Sequence, residues 1–139
     1  MKYIDIFGRR LSLRRHRRSR PDWRQEVTDE QKRNLIDFLD RRVEYWRVQM
    51  GEGEVTWKLR NMKSQWGNCR YRERILTFNL QLALVDDDLK DYIIVHELSH
   101  LQIHNHGPLF KARQSEFIPD WPQRRKLLKE YIVCILQKL

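Results

Sequence analysis

The sequence predicts an α+β domain: an N-terminal helix, a short antiparallel strand pair, a central helix and two C-terminal helices. Three observations predict it. Residues 29–48 and 124–139 repeat apolar side chains at helical spacing. Residues 55–59 and 74–79 carry the alternation and β-branched or aromatic content of strands. Between the strands and the last helix, the stretch from Asp86 is apolar over most of its surface, as expected for a helix enclosed by other elements. The chain has 139 residues, 40% of them hydrophobic, which is room for one core.

In chain order, residues 1–24 are a basic arm, distinct from a domain at 25–139. The arm holds nine Lys/Arg and two Asp, a net of +7 out of +9 for the whole chain, so the rest carries only +2. Charge this local suits the phosphates of a nucleic acid or another anionic surface. A solvated arm with no dedicated partner is an equal expectation. Tyr3, Ile4, Ile6, Phe7, Leu11 and Leu13 would allow part of the arm to pack as a strand, and Pro21 closes it.

Thr28 followed by Gln31 is a capping box. Leu35, Ile36, Phe38, Leu39, Val43, Trp46 and Met50 then recur at helical spacing until Gly51-Glu52-Gly53. Val55, Trp57 and Leu59 alternate with Thr56, Lys58 and Arg60, a half-buried strand. A second strand runs from Arg74 to Asn79. The two are expected to pair antiparallel through a connection at 61–73, in which Trp66 and Gly67 read as packing residues.

Asp86 or Asp87 is the natural N-cap of the next helix, and acidic groups there suit the positive end of its dipole. Gly107-Pro108 is expected to stop it and open a short helix to Ile118, with Leu109, Phe110 and Phe117 inward. Pro119-Asp120-Trp121-Pro122 is a break. The last helix, from Arg124, is expected to bury Leu127, Leu128, Tyr131, Ile132, Ile135 and Leu136.

The central helix carries His96-Glu97-Leu98-Ser99-His100, an H-E-x-x-H motif. Histidines four apart lie one turn above each other on a helix, so both imidazoles reach one metal ion, and zinc is the expected one. Glu97 beside the first histidine is placed to act as general base on a zinc-bound water. Such a motif also arises by chance, but here it lies in a predicted helix with further histidines after it. A catalytic zinc usually takes three protein ligands and a water, so a third ligand is required. His104 sits about 12 Å along the helix axis from His96 at ~1.5 Å per residue, too far for one ion if the helix stays intact. His106 follows Asn105, a residue that tolerates the left-handed conformation ending helices, and a reversal there would return it to the pair. The expected ligands are therefore His96, His100 and His106, with His104 capping or exposed.

The run H-E-L-x-H-L-x-x-x-N-H-x-P-x-F from His96 to Phe110 resembles the YgjP-like (DUF45) metallopeptidase family, which is related to the WLM and SprT-like zinc proteases. Met62-Lys63-Ser64-Gln65-Trp66-Gly67-Asn68-Cys69 resembles the M-K-x-x-W-G-x-C segment of that family. The similarity covers roughly residues 28–130. It implies a zincin-like fold with zinc on His96, His100 and His106, Glu97 as catalytic acid/base, and a peptide or protein substrate. Gly107 stands where Ser is common in the family, and Lys111 where an aromatic often follows the Phe. The strand-rich N-terminal region usual in members is not evident here.

Composition narrows the remaining classes. No run approaches the ~18 apolar residues of a membrane span, so no membrane association is expected. The basic start lacks the apolar stretch of a signal peptide, which predicts a cytoplasmic protein. Cys69 and Cys134 are the two cysteines; a reducing compartment disfavours their pairing, and Cys69 reads as a small packing residue. Two other functions use the same residues. A zinc hydroxide also attacks phosphorus, so a nucleotide phosphoanhydride is an alternative substrate, although no glycine-rich phosphate cradle is present. A nucleic-acid-binding module with structural zinc is the other alternative, and it leaves Glu97 without a purpose.

Overall fold

Thr28 caps the longest helix, α1 (Asp29–Gln49), through the reciprocal pair expected: its hydroxyl accepts from Gln31 N and the Gln31 side chain accepts from Thr28 N. The computed structural model describes residues 2–4, 10–12 and 22–137, with side chains from 22 to 132. Most of the basic arm at 1–24, read as either a nucleic-acid contact or a solvated arm, lies outside them, as does the side chain of Cys134. β1 (Lys2–Ile4) and β2 (Arg10–Ser12) pair antiparallel, which corrects the expectation that N-terminal strands are not evident in this chain.

After α1 come β3 (Thr56–Arg60), β4 (Gly67–Arg70) and β5 (Ile75–Asn79), a sheet in the order β3-β5-β4. The expected antiparallel pairing of the 55–59 and 74–79 segments is corrected: β3 and β5 lie side by side but parallel, from Thr56↔Ile75 to Arg60↔Asn79. The antiparallel partner of β5 is β4, inside the stretch taken as a connection. Two physical facts explain this. Residues 61–74 are long enough for the crossover that parallel strands need. Moreover β5, with Leu76 and Phe78 fully buried, is the apolar strand and takes the centre, while β3 has an exposed polar face.

The crossover is held by a buried asparagine. Asn79 Oδ1 accepts from Met62 N at 3.2 Å and Gln81 N at 3.0 Å, while its Nδ2 donates to Met62 O at 2.8 Å and Gln65 O at 2.7 Å. All its hydrogen-bonding capacity serves to fix the loop that leads into Trp66 and Gly67. Trp66 is buried between Trp23, at 4.8 Å between ring centroids, and Tyr131, at 6.0 Å. The turn from β4 to β5 uses Arg74 at φ 56°, a left-handed conformation unusual for a side chain of this size. Its guanidinium donates to Glu54 O and Gly53 O and pairs with Glu52 at 3.2 Å, which ties the turn to the end of α1.

A 3₁₀ turn (Leu80–Leu84) leads to α2 (Asp87–Ser99), then α3 (Pro108–Phe117) and α4 (Trp121–Gln137). Leu89, Lys90 and every residue from Tyr92 to Ser99 are buried, so α2 is the centre of the core. Asp91 locks it to α1 by accepting from Arg42 at 2.9 and 3.1 Å and from Trp46 Nε1 at 2.9 Å. Two inward assignments are reversed: Leu109 is 74% exposed and Leu127 is 53% exposed, while Phe110 and Leu128 are buried. No helix among the described residues is long and apolar enough to cross a membrane.

Candidate metal centre

The central helix ends earlier than its hydrophobic pattern implies. It stops at Ser99, with His100 as C-cap, where Leu101 N and Gln102 N turn back to Leu98 O and Ser99 O. The His100 ring reinforces the turn through Nδ1, 3.0 Å from Ile103 O. The expected left-handed reversal at Asn105 does not occur, since Arg74 is the non-glycine residue with positive φ among those described. The chain reverses instead through the tight turns after Ser99 and a side-chain turn, in which Asn105 Oδ1 accepts from Gly107 N at 3.0 Å. With the helix already ended, the distance argument against His104 has no object; direction decides. His104 points outward and stacks on Tyr71 at 3.6 Å between centroids, exposed, while His106 turns in.

His96, His100 and His106 come together, with ligand atoms all within 4.8 Å of one another. His106 Nε2 lies 2.9 Å from His100 Nε2 and 3.2 Å from His96 Nε2. Ligands 2.0–2.1 Å from one tetrahedral ion would be about 3.3 Å apart, so the spacing suits a shared cation. Protonation fits too. Burial, then the neighbouring His100 and His106, hold His96 well below its ordinary value, with Arg125 adding to the effect. Burial and the His106 charge lower His100 to about 4. These two imidazoles are neutral at neutral pH, the form that binds a metal.

Phe110 forms one wall of the cluster. Its ring stacks on His100 at 4.5 Å and meets His96 at 4.9 Å and His106 at 4.8 Å edge to face. Gln114, one turn further along α3 and buried, has its amide 3.2 Å from His96 Nδ1. The sequence pattern marks Phe110 as inward and gives Gln114 no role. The spacing of Phe110 and Gln114 was the available signal, because residues four apart on α3 share one face of the helix.

Glu97 sits on the side of α2 that faces β4. It is 2% exposed, and burial pushes its carboxyl up to about 8. A Cβ placed on Gly67 would lie 3.1 Å from Glu97 Oε2 and 3.0 Å from Thr77 O. Cys69, two residues along β4, is also influenced by Glu97: burial first and that carboxylate second push its thiol up to about 12. Cys69 is not part of the three-histidine cluster, and a buried thiol of this kind fits a packing role.

A family model described as YgjP-like, metallopeptidase domain, matches residues 2–131. No curated protein matches the chain. Among solved structures, the metallopeptidase zymogen of Pyrococcus abyssi abylysin is similar at a TM-score of 0.60 and 20% identity, over 71% of this chain and 95% of that one. The metallopeptidase zymogen of Methanocaldococcus jannaschii jannalysin is similar at 0.54 and 21%, over 72% and 95%. At these identities the two structures speak for the fold alone.

Proposed function

The chain belongs to the YgjP-like metallopeptidase family, and we propose that it hydrolyses peptide bonds with zinc held by His96, His100 and His106 and with Glu97 as general base. The observation that carries the reading is the convergence of the three Nε2 atoms, on a helix where the residue after His96 is the buried Glu97. Three nitrogen donors suit zinc, a borderline-soft ion that keeps a fourth position open in catalytic sites. When bound, zinc supplies Lewis-acid polarisation of the scissile carbonyl and lowers the pKa of a water toward about 7.

Glu97 does the proton work. Its carboxylate takes a proton as the water oxygen bonds to the carbonyl carbon, and delivers it to the leaving nitrogen as the C–N bond breaks. The products are a carboxylate and an amine. A nearby dication favours the ionised form of Glu97, opposing the burial that raises its pKa. For substrate, β4 is the relevant element: it is an outer strand of its sheet and runs beside Glu97 at Gly67. An extended peptide can add to such an edge by main-chain hydrogen bonds.

The test is hydrolysis of unstructured peptides by the full chain, loaded with zinc and then treated with chelator, with a nucleoside triphosphate assayed in parallel. The expected result is peptide cleavage that chelator abolishes and zinc restores. Triphosphate hydrolysis without peptide cleavage would replace this reading with the phosphoanhydride one.

A further inference from the structure

We infer that Gln114 fixes the tautomer of His96 by presenting its amide oxygen to the ring's Nδ1–H, which leaves Nε2 bare toward the centre of the cluster. The inference rests on the three-histidine ligand set proposed above and adds a residue which neither the motif nor the family match assigns.

His100 Nδ1 lies 3.0 Å from Ile103 O, an atom that only accepts, so the His100 proton is on Nδ1 and its Nε2 is bare. His106 Nε2 is 2.9 Å from that bare nitrogen and 3.2 Å from His96 Nε2. Nitrogens this close share either a proton or a cation. If a proton, it sits on His106 Nε2 and both neighbours must accept, so His96 Nε2 is bare. If a cation, all three are bare. Both cases put the proton of neutral His96 on Nδ1.

The group facing Nδ1 is Gln114, 2% exposed, whose Nε2 lies 3.2 Å away. An amide nitrogen there would donate, and His96 would have to accept on Nδ1 and carry its proton on Nε2, in the middle of the cluster. The two ends of the amide have the same shape, so a half-turn about its terminal bond replaces donor with acceptor without repacking. Gln114 Oε1 then receives Nδ1–H, the arrangement that orients a metal-bound imidazole and raises its basicity. Gln114 touches neither metal nor substrate, and its role is positioning.

The test combines long-range proton–nitrogen NMR of the histidine rings with zinc affinity from chelator competition, on the full chain and the variants Gln114→Leu and Gln114→Glu. The expected result is His96 in the Nδ1–H form in the wild-type protein, both metal-free and zinc-loaded. Gln114→Glu keeps the acceptor, and should keep the tautomer and bind zinc at least as tightly. Gln114→Leu removes it, and should shift metal-free His96 toward Nε2–H and weaken zinc about 10–100-fold. A proton on His96 Nε2 in the metal-free wild-type protein overturns the inference. So does a Leu variant with unchanged tautomer and affinity. Should the Leu variant fail to fold, a Glu variant that binds zinc tenfold more weakly overturns it equally. A protein that binds zinc and cleaves no peptide would refute the proposed reaction and leave the role of Gln114 standing.

Discussion

Gly67 and Glu97 are fitted to each other: a side chain at 67 would place its first carbon 3.1 Å from Glu97 Oε2 and 3.2 Å from its Cγ. The glycine lets the edge strand approach the carboxyl that is proposed to move the proton. This close approach, rather than any backbone strain, is the reason for a glycine there.

Gly67→Ala should therefore move Glu97 or the strand by a few tenths of an ångström. Turnover is expected to fall by about 10–100-fold with zinc content unchanged, because the carboxyl is displaced and the ligands are not. Parallel measurement of kcat and metal stoichiometry checks this. An Ala variant with full activity would mean that the contact positions nothing.

Glu97→Gln should keep the metal and lose the reaction. The amide is nearly isosteric and cannot accept the proton from water, so turnover should drop by a factor on the order of 10² or more. Zinc content and thermal unfolding of the same preparation establish that the site is intact. Undiminished turnover would remove Glu97 from the mechanism.

The same substitution has a pH signature in the metal-free protein. Burial raises the folded pKa of Glu97 from 4.5 to about 8, so the folded state holds this proton more tightly than the unfolded chain. The stability tied to it is full below about 4.5 and is lost as pH rises through about 8. Denaturant unfolding at pH 5 and pH 9 should show the Gln variant gaining on the wild-type protein at the higher pH. The depressed pKa of His100 works in the opposite sense, losing stability as pH falls from 6.5 toward 4, but it is common to both proteins and cancels. A wild-type-to-Gln difference that does not change with pH would contradict the buried, raised carboxyl.

His106 and His104, two residues apart, should behave differently. His106→Ala is expected to lose most of the zinc. His104→Ala should retain it and lose only the stack on Tyr71, which joins the loop to the β4–β5 turn. Zinc stoichiometry after gel filtration separates the two, and the reverse order would reassign the third ligand.

Much of this was legible from local chemistry. The capping box at Thr28, the apolar α2 and the inward histidine pair follow from spacing within one element, and the fold class follows from the order of elements. What was not legible depended on partners distant in sequence. The parallel β3–β5 pairing is decided by which strand is apolar enough for the centre, and by Asn79 holding the crossover at Met62. The end of α2 was misread because Leu101 and Ile103 continue its apolar pattern after the hydrogen bonds have turned back at Ser99. His106 was assigned through a reversal that takes another form, so its position was anticipated and its cause was not. Gln114 was missed because a polar residue in an amphipathic stretch reads as exposed until its partner, His96, is known.

The most direct measurement of the central claim is an anomalous difference map from crystals of the zinc-loaded protein, with data collected on both sides of the zinc absorption edge. The account predicts one strong peak between His96, His100 and His106, about 2.0–2.1 Å from each Nε2, with Glu97 outside the coordination sphere. A peak held by other residues, or no peak at this cluster in zinc-saturated crystals, would contradict it.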